Sequence, residues 1–358
     1  MATLLIGSLI SCNAQQKSNT GFIKGELADV SGHLPLGPLS GNPMGCCDSS
    51  YLTITDTSRE IGEYVRRIFE DSRGHLWLGT NKYGVARYDG KTLNYYSIPE
   101  GLSGTQVTGI IEDWEGNIWF STSGGVSRFN GQDFTSFTAK EGLSANNVWS
   151  IFQDSKGNIW AGTIHGLCRF NGEGFTPVDI PQRSHSGFNN AWIACITEDQ
   201  QGNLWIGTRG NGACKYDGST FSFLSKEDGL CDNDIVCILP DNEGRLWFSS
   251  MFGGISMYEG NAFTTYNAFN SIGNNEVWNM HEDHSGDIWF SSEGYGLYRF
   301  NGKAMSHYNA DDGMPIGAVQ SIFQDSEKDL WIGGGGGLYK YHDGTFTHIT
   351  KEGPWEIL

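Results

Sequence analysis

The chain has 358 residues, with 41 acidic and 23 basic side chains and a formal net charge of −18. No segment gathers Lys and Arg, so the sequence offers no surface that would release counterions from a nucleic-acid backbone, and we expect no nucleic-acid partner. The composition, with 50 Gly, 12 Trp, 14 Tyr and 20 Phe against 9 Pro, favours short strands joined by tight turns. An all-β fold is therefore the first expectation.

The N-terminus begins with a short apolar run that ends in the sequence LISC at Cys12. The run is too short to span a bilayer. LISC resembles a bacterial lipobox, which predicts that residues 1–12 are a lipoprotein signal peptide and that Cys12 carries lipid. Such a protein would lie in the cell envelope, at the outer membrane or facing the periplasm, and would touch the membrane only through its lipid anchor. Because no Lys or Arg precedes the run, a secreted chain stays open as the alternative.

Residues 13–50 are predicted to form a tether and an N-terminal segment. This segment contains the adjacent cysteines Cys46 and Cys47, and their redox state is left open. No C-x-x-C pair occurs in the chain, so we expect no structural zinc site and no cofactor.

The dominant feature of the chain is a tryptophan that recurs seven times, at intervals of 41 to 45 residues. Each Trp follows an Asp by six residues, and a Gly follows the Asp by three residues in every copy but the last, where Lys328 stands instead. Asp can hydrogen-bond the backbone two residues on and Gly can take a positive φ, so each copy is predicted to contain a hairpin turn. The Asp and Trp pairs are Asp71 and Trp77, Asp113 and Trp119, Asp154 and Trp160, Asp199 and Trp205, Asp241 and Trp247, Asp283 and Trp289, and Asp325 and Trp331.

Each copy carries two further strands, joined by an aromatic-[Asp/Asn]-Gly turn of the kind seen at residues 88–90 and 129–131. Four short antiparallel strands per copy form a sheet with two apolar faces, which only neighbouring copies can cover. We therefore predict a seven-bladed β-propeller over residues 51–350, with blades from about residue 65 and a C-terminal tail at 351–358. The seventh copy supplies its own fourth strand at 346–350. The segment YLTIT at 51–55 is left open as an extra outer strand or a clasp.

The motif resembles the two-component regulator propeller repeat. The resemblance rests on the Asp-x-x-Gly-x-[Leu/Ile]-Trp element, the Gly-bearing loop, the aromatic-[Asp/Asn]-Gly turn and the sequence EGLS at 100–103 and 141–144, and it covers about 285 residues. It implies the extracytoplasmic sensor region of hybrid histidine kinases of Bacteroidetes-like bacteria, which often sense products of polysaccharide breakdown. Because the chain stops at Leu358 soon after the seventh copy, we expect the propeller alone to carry over.

The variable loops predict where a ligand would bind. In a four-stranded meander the first and third connections lie at one end of the blade, and these are the recurring turns. The second connection and the link between blades lie at the other end, where the copies differ, so we place a channel mouth there. Its polar and aromatic side chains suit a sugar-like ligand. The candidate residues are Tyr83, Trp149, His165, Trp192, Arg209, Asn211, Phe252, Trp278, Glu293 and Tyr295.

These observations leave two functions of different classes. The favoured one is a non-enzymatic envelope module, expected to be a monomer, that binds a polar small molecule, an oligosaccharide or another envelope protein. The alternative is a propeller enzyme of the virginiamycin B lyase-like or lactonase-like type, which would use a divalent cation near His165 and Glu293. The sequence HEDH at 281–284 suggests a metal at first, but His281 occupies the position of Phe69 and Phe152 in other copies. We therefore expect no metal there and assign no catalytic residue.

Overall fold

A computed structural model describes residues 59–181, 192–267, 271–314 and 317–355 of the chain, all within the compact unit Ile54–Leu358. They form seven four-stranded antiparallel sheets, each built from four strands that are consecutive in the chain. The prediction of an all-β, seven-bladed propeller is confirmed. The predictions for Cys12, Cys46, Cys47 and the segment 51–55 fall outside the described residues. None of the helical segments in the described ranges has the length and apolar character of a membrane span.

The strands of each blade are called A to D from the channel outward. Blade 1 has β1 (Val65–Glu70), β2 (Leu76–Thr80), β3 (Val85–Tyr88) and β4 (Leu93–Tyr96). Blade 2 has β5 (Val107–Glu112), β6 (Ile118–Thr122), β7 (Gly125–Phe129) and β8 (Phe134–Phe137). Blade 3 has β9 (Val148–Gln153), β10 (Ile159–Thr163), β11 (Gly166–Phe170) and β12 (Phe175–Pro177). Blade 4 has β13 (Ile193–Glu198), β14 (Leu204–Thr208), β15 (Ala213–Tyr216) and β16 (Phe221–Leu224).

The last three blades follow the same order. Blade 5 has β17 (Ile235–Pro240), β18 (Leu246–Ser250), β19 (Ile255–Glu259) and β20 (Ala262–Tyr266). Blade 6 has β21 (Met280–Glu282), β22 (Ile288–Ser292), β23 (Gly296–Phe300) and β24 (Met305–Tyr308). Blade 7 has β25 (Val319–Gln324), β26 (Leu330–Gly334), β27 (Gly337–His342) and β28 (Thr345–Ile349). Short 3-10 turns follow several D strands, at Ile98–Glu100, Ala139–Glu141, Lys226–Asp228 and Ala310–Asp312.

The recurring Asp and Trp form one hydrogen-bonded unit. In blade 1 the buried indole N–H of Trp77 donates to Asp71 Oδ2 over 2.8 Å, while Asp71 Oδ1 accepts the backbone N–H groups of Arg73 and His75. The indole-to-carboxylate bond is 2.7 to 2.9 Å long in all seven blades. Because a buried N–H needs an acceptor, the same carboxylate that shapes the turn also satisfies the core tryptophan. This explains why the two residues recur together.

Neighbouring blades bury each other's apolar faces. Trp77 and Val85 of blade 1 lie in one buried cluster with Val107, Ile118 and Phe120 of blade 2. Equivalent clusters join the later blades, including one that joins Trp331 and Leu338 of blade 7 to blade 1. A single blade would expose these side chains, so the ring is needed to build a core.

Blades 7 and 1, which close the ring, are joined by the same kind of hydrogen bond as blades 1 and 2. In blade 7, Ser326 donates its backbone N–H to Glu70 of blade 1 over 2.7 Å, as Ser72 donates to Glu112 between blades 1 and 2. In blade 5, Pro240 occupies the position of this acceptor and has no side-chain oxygen. Blades 4 and 5 are joined instead by the side chain of Gln200, which donates to the backbone O of Asp241 over 3.0 Å.

The C-terminal tail reinforces the same seam between blades 7 and 1. Lys351 donates its backbone N–H to the O of Arg59 over 2.9 Å. Trp355 stacks on Tyr88 of blade 1, with 4.1 Å between the ring centroids. The tail therefore clasps blade 1, a contact that the repeat pattern did not predict.

Lys328 holds a turn position that other blades fill with Gly, and it does so at φ = +73°. A residue with a side chain loses about 1–2 kcal/mol of stability in the left-handed conformation. Gly avoids this strain, but it loses more conformational entropy on folding, which cancels part of the gain. We expect Lys328→Gly to raise the free energy of unfolding by about 1 kcal/mol, or the midpoint by about 2 °C. Gly74→Ala is the matched control, at φ = +78° with nothing within 4 Å of the added Cβ, and should lower the midpoint in thermal unfolding. A lower midpoint for Lys328→Gly would contradict this account of the turn.

Candidate functional site

One face of the ring carries the loops that differ between the blades. In six blades the first residue after strand B donates its backbone N–H to the residue just before strand A, over 2.9 to 3.1 Å. In blade 6, where strand A starts later, Glu293 donates to Glu276, four residues before the strand, over 2.9 Å. The loop between strands B and C therefore lies beside the chain that enters strand A, as the sequence predicts. These pairs ring the mouth of the channel: Asn81 and Tyr64, Ser123 and Gln106, Ile164 and Asn147, Arg209 and Trp192, Met251 and Asp234, Glu293 and Glu276, and Gly335 and Ala318.

Side chains from the start of strand A meet at the channel axis. In blades 1, 2, 3, 4, 5 and 7 the pairing of strand A with strand B is irregular near this start. The irregularity leaves the second residue of strand A without a paired residue on strand B. Five of these second residues, from blades 1, 3, 4, 5 and 7, line a cavity of about 20 Å³ together with four further residues near the mouth. Such a volume holds about one water molecule. The cavity is lined by Arg66, Arg67, Trp149, Trp192, Ala194, Arg209, Val236, Trp278 and Gln320.

Two tryptophans of neighbouring blades form the aromatic part of this cavity. The rings of Trp149 and Trp192 lie 4.7 Å apart at an angle of 59°. Both indole nitrogens are buried, and neither has a hydrogen-bond partner among the described residues. The seven core tryptophans each donate to an Asp, so these two unused donors set the cavity tryptophans apart.

Arginines cover the faces of the same two rings. The guanidinium of Arg66 lies 5.4 Å from the ring centroid of Trp149, and that of Arg209 lies 4.7 Å from Trp192. These distances are those of cation–π contacts. Arg209 also forms an ion pair with Asp234 over 3.1 Å, whereas Arg66 donates to the neutral Asn81 Oδ1 over 3.2 Å.

Arg67 lies beside Arg66 and is held by backbone carbonyls. Its guanidinium donates to the O atoms of Thr108, Arg66 and Gln320 over 2.5 to 3.1 Å. Burial, together with the charge of Arg66, lowers the pKa of Arg67 to about 10. The group therefore stays cationic at neutral pH.

The mouth also carries acidic groups from blade 6, Glu276 and Glu293. Burial raises the pKa of Glu293, and the neighbouring Glu276 raises it further. One carboxylate oxygen of Glu293 and the amide oxygen of Asn147 are buried and accept no hydrogen bond from the described residues. Burial also raises the pKa of Tyr64, which lies near both acids. The mouth thus offers both donors and acceptors that have no partner among the described residues.

Half of the ten predicted residues lie at this site. Trp149, Trp192, Arg209 and Trp278 line the cavity, and Glu293 belongs to the mouth pairs. Tyr83, His165, Asn211, Phe252 and Tyr295 lie in the loops but do not line the cavity. Phe252 and Tyr295 are 62% and 51% exposed, which makes them the outward rim of the face rather than its centre.

Arg66, Arg67 and Gln320 were missed by the sequence analysis. Each follows the first residue of strand A by one or two positions, where no single residue type is common to all seven blades. The signal was available, because Trp149 and Trp278 occupy the same position after the recurring Val. Aligning that position across the seven copies would have found Arg66 and Gln320.

Larger openings exist on the turn face of the ring. Two grooves of about 330 Å³ each lie between blades 3 and 4 and between blades 4 and 5. Their polar walls are largely engaged already: Asp199 accepts from Trp205, and Arg245 pairs with Asp241 and Glu243. We therefore place the candidate site at the channel mouth, where polar atoms are left without partners.

His281, considered above for a metal, packs beside Phe323 at 6.3 Å between ring centroids. A search of the described residues finds no group of three or more His, Cys, Asp and Glu side chains arranged to hold a metal ion. The five cysteines in the described ranges, Cys168, Cys195, Cys214, Cys231 and Cys237, are free thiols.

Three solved structures place this fold among known proteins. The extracellular domain of a protein described as a hybrid two component system from B. thetaiotaomicron is 21% identical, with a TM-score of 0.65 over 77% of this chain and 40% of that one. A catalytically inactive virginiamycin B lyase from Staphylococcus aureus is 16% identical, with a TM-score of 0.62 over 77% of this chain and 93% of that one. PorZ, a surface component of the type-IX secretion system of Porphyromonas gingivalis, is 16% identical, with a TM-score of 0.51 over 75% of this chain and 45% of that one.

At these identities the similarity establishes the fold alone, and the chain spans about two fifths of the first of these structures. No curated protein matches the sequence. A family model described as two component regulator propeller matches residues 60–82, 142–165, 186–210, 229–252, 271–294 and 313–336, which fall in six of the seven repeats. Through these repeats, the chain belongs to the two component regulator propeller family.

Proposed function

We propose that this chain is a non-enzymatic ligand-binding module of the cell envelope, and that its ligand is a glycan lying across the channel mouth. The observation that carries the proposal is the convergence of Trp149, Trp192 and Trp278, from three different blades, on one cavity. Aromatic faces with a few polar groups are the usual lining of a site for small polar ligands.

The unpartnered polar atoms support a ligand rich in hydroxyl groups. The indole N–H groups of Trp149 and Trp192 need acceptors, while Glu293 and Asn147 each present an oxygen that needs a donor. A sugar hydroxyl both donates and accepts, so one ligand can serve both kinds of group. Because the cavity holds only about one water, the body of the ligand must lie outside it.

Two observations support a place in the envelope. The B. thetaiotaomicron structure of similar fold is an extracellular domain. The sequence LISC at 9–12 resembles a lipobox, which would anchor the protein through Cys12. By analogy with that extracellular domain, the propeller would act as a sensor or as an interaction module, presenting its mouth to ligands outside the cytoplasm.

The enzymatic alternative has weaker support. Its basis is the similarity of fold to the virginiamycin B lyase over 93% of that chain. The two residues that it would use lie in the loops of blades 3 and 6, and His165 is exposed outside the cavity. A turnover of quinupristin that stops with chelator and with His165→Ala would favour it.

We expect Trp149→Ala or Trp278→Ala to weaken oligosaccharide binding by about tenfold or more, since an aromatic contact contributes about 0.5–1.5 kcal/mol beyond its buried area. Isothermal titration calorimetry against a panel of neutral and acidic oligosaccharides measures this directly. Phe252→Ala is the control, because Phe252 is an exposed aromatic of the same face that lies outside the cavity.

Equal losses of affinity for Phe252→Ala and Trp149→Ala would move the site from the channel to the rim. Absence of binding across the panel would refute the glycan proposal and leave a protein partner as the remaining occupant of the mouth.

A further inference from the structure

The channel axis holds two neighbouring guanidinium groups without a carboxylate, and we infer that it is an anion site that receives the carboxylate of an acidic sugar. The inference rests on the proposed function and names the class of its ligand. In a chain with a net charge of −18, such a concentration of positive charge is a local exception.

The neighbours of Arg66 and Arg67 are neutral. Arg67 donates only to backbone carbonyls, and Arg66 donates to the amide oxygen of Asn81. Within the described parts of the chain neither forms an ion pair. Other arginines do pair with acids: Arg209 with Asp234 and Arg299 with Asp287. The two arginines of the axis are therefore a distinct pair.

Their position is costly for the empty protein. Burial lowers the pKa of Arg66, and burial and the charge of Arg66 lower that of Arg67. A buried charge is tolerated at least cost when an opposite charge or several hydrogen bonds accompany it. A bound anion would supply the missing charge and remove part of the repulsion between the two groups, so the site favours an anionic ligand over a neutral one.

The cavity also presents other donors to an anion. The indole N–H groups of Trp149 and Trp192 are buried without acceptors in the same cavity, and Gln320 lines it as well. A carboxylate has two oxygens and about four acceptor sites, and it matches the planar fork of a guanidinium. These donors of the cavity thus outnumber what a single hydroxyl could accept.

The size of the cavity selects the part of the ligand that enters. About 20 Å³ admits a group of roughly the size of one water molecule, such as one oxygen end of a carboxylate, and excludes a sugar ring. The ring must then lie at the mouth, against the tryptophans. These two requirements together describe a uronic acid, either free or at the end of an oligosaccharide.

The test compares three probes on the full chain by isothermal titration calorimetry at constant ionic strength: glucose, glucuronate and acetate. We expect glucuronate to bind at least tenfold more tightly than glucose, and acetate to compete with glucuronate. Arg66→Gln should remove this preference. Arg128→Gln is the matched control, because Arg128 covers the core Trp119 at 5.6 Å from its ring and lies outside the cavity.

A second variant keeps the test decisive if Arg66→Gln does not fold. Arg66→Lys keeps the charge but loses the planar fork, so it should still prefer glucuronate to glucose, at reduced affinity. Loss of the preference in this variant, or a preference that survives in Arg66→Gln, would overturn the anion site.

The design separates this inference from the proposed function. Equal binding of glucose and glucuronate that depends on Trp149 would overturn the anion site and leave the glycan module standing. Binding of acetate that depends on Arg66, without binding of either sugar, would support the anion site and count against the glycan. A glucuronate-terminated oligosaccharide that binds more tightly than free glucuronate would identify the chain end as the ligand.

Discussion

Replacement of Asp241 by alanine is expected to lower the free energy of unfolding by about 3–5 kcal/mol, the usual cost of breaking a buried ion pair from one side. Asp241 is only 2% exposed. Its carboxylate accepts the indole N–H of Trp247, two backbone N–H groups and the guanidinium of Arg245. The substitution leaves the buried indole of Trp247 without its acceptor, and it leaves Arg245 paired only with the exposed Glu243.

Denaturant titration followed by tryptophan fluorescence measures this loss. Asp217→Ala is the control, because Asp217 also closes a turn and accepts from the backbone and side chains of Ser219 and Thr220, but it does so in solvent. Its removal should change the midpoint far less. If the two variants lost stability equally, the role of Asp241 would be that of a turn residue alone.

The recurrence of this unit explains why the fold could be predicted. An Asp and a Trp that return seven times at nearly constant spacing report a local contact, and a local contact leaves a pattern in the sequence. The cation over each core tryptophan, such as Arg87 at 5.6 Å from Trp77, recurs for the same reason. In blade 5 the pattern is broken by Met257, and Arg245 from the turn takes the place over Trp247.

The candidate site could be predicted only in part, because its contacts do not recur. Residues about 42 positions apart meet at the axis, and each blade contributes a different side chain there. Trp149, Trp192 and Trp278 could be selected from the sequence as large aromatics. Arg66 and Arg67 could be recognised as candidates only from the structure, which shows that their hydrogen-bond partners are neutral. The stacking of Trp355 on Tyr88 is likewise a single contact, with no second copy to reveal it.

The half-buried histidine of blade 6 gives the second large effect, a loss of stability in mild acid. Burial lowers the pKa of His281 to about 4, and the charge of His284 opposes the favourable charge of Asp283. In the unfolded chain this imidazole takes up a proton near its usual pKa of 6.5. The unfolded state therefore binds more protons between about pH 6.5 and pH 4, and stability falls as the pH is lowered through this window.

A second window lies below it. Burial alone would raise the pKa of Asp71, but hydrogen bonds from Trp77, His75 and Arg73 outweigh it and hold the pKa below its usual value. The same balance lowers the pKa of Asp154 and of Asp199. A lowered carboxyl pKa stabilises the native state above about pH 4, and this stabilisation is lost as the pH falls further. The histidine and the aspartates thus act in separate ranges of pH.

His281→Phe isolates the first window, since Phe occupies the same position in blades 1, 3 and 7. From pH 7.5 to pH 5 the wild-type protein should lose about 2 kcal/mol through this group, whereas the variant should lose little. Urea titrations at the two values of pH measure the difference, and the losses of both proteins below pH 4 should remain alike because the aspartates are unchanged. A wild-type protein as stable at pH 5 as at pH 7.5 would mean that the imidazole accepts its proton in the folded ring, which would require the position beside Phe323 to be open to water.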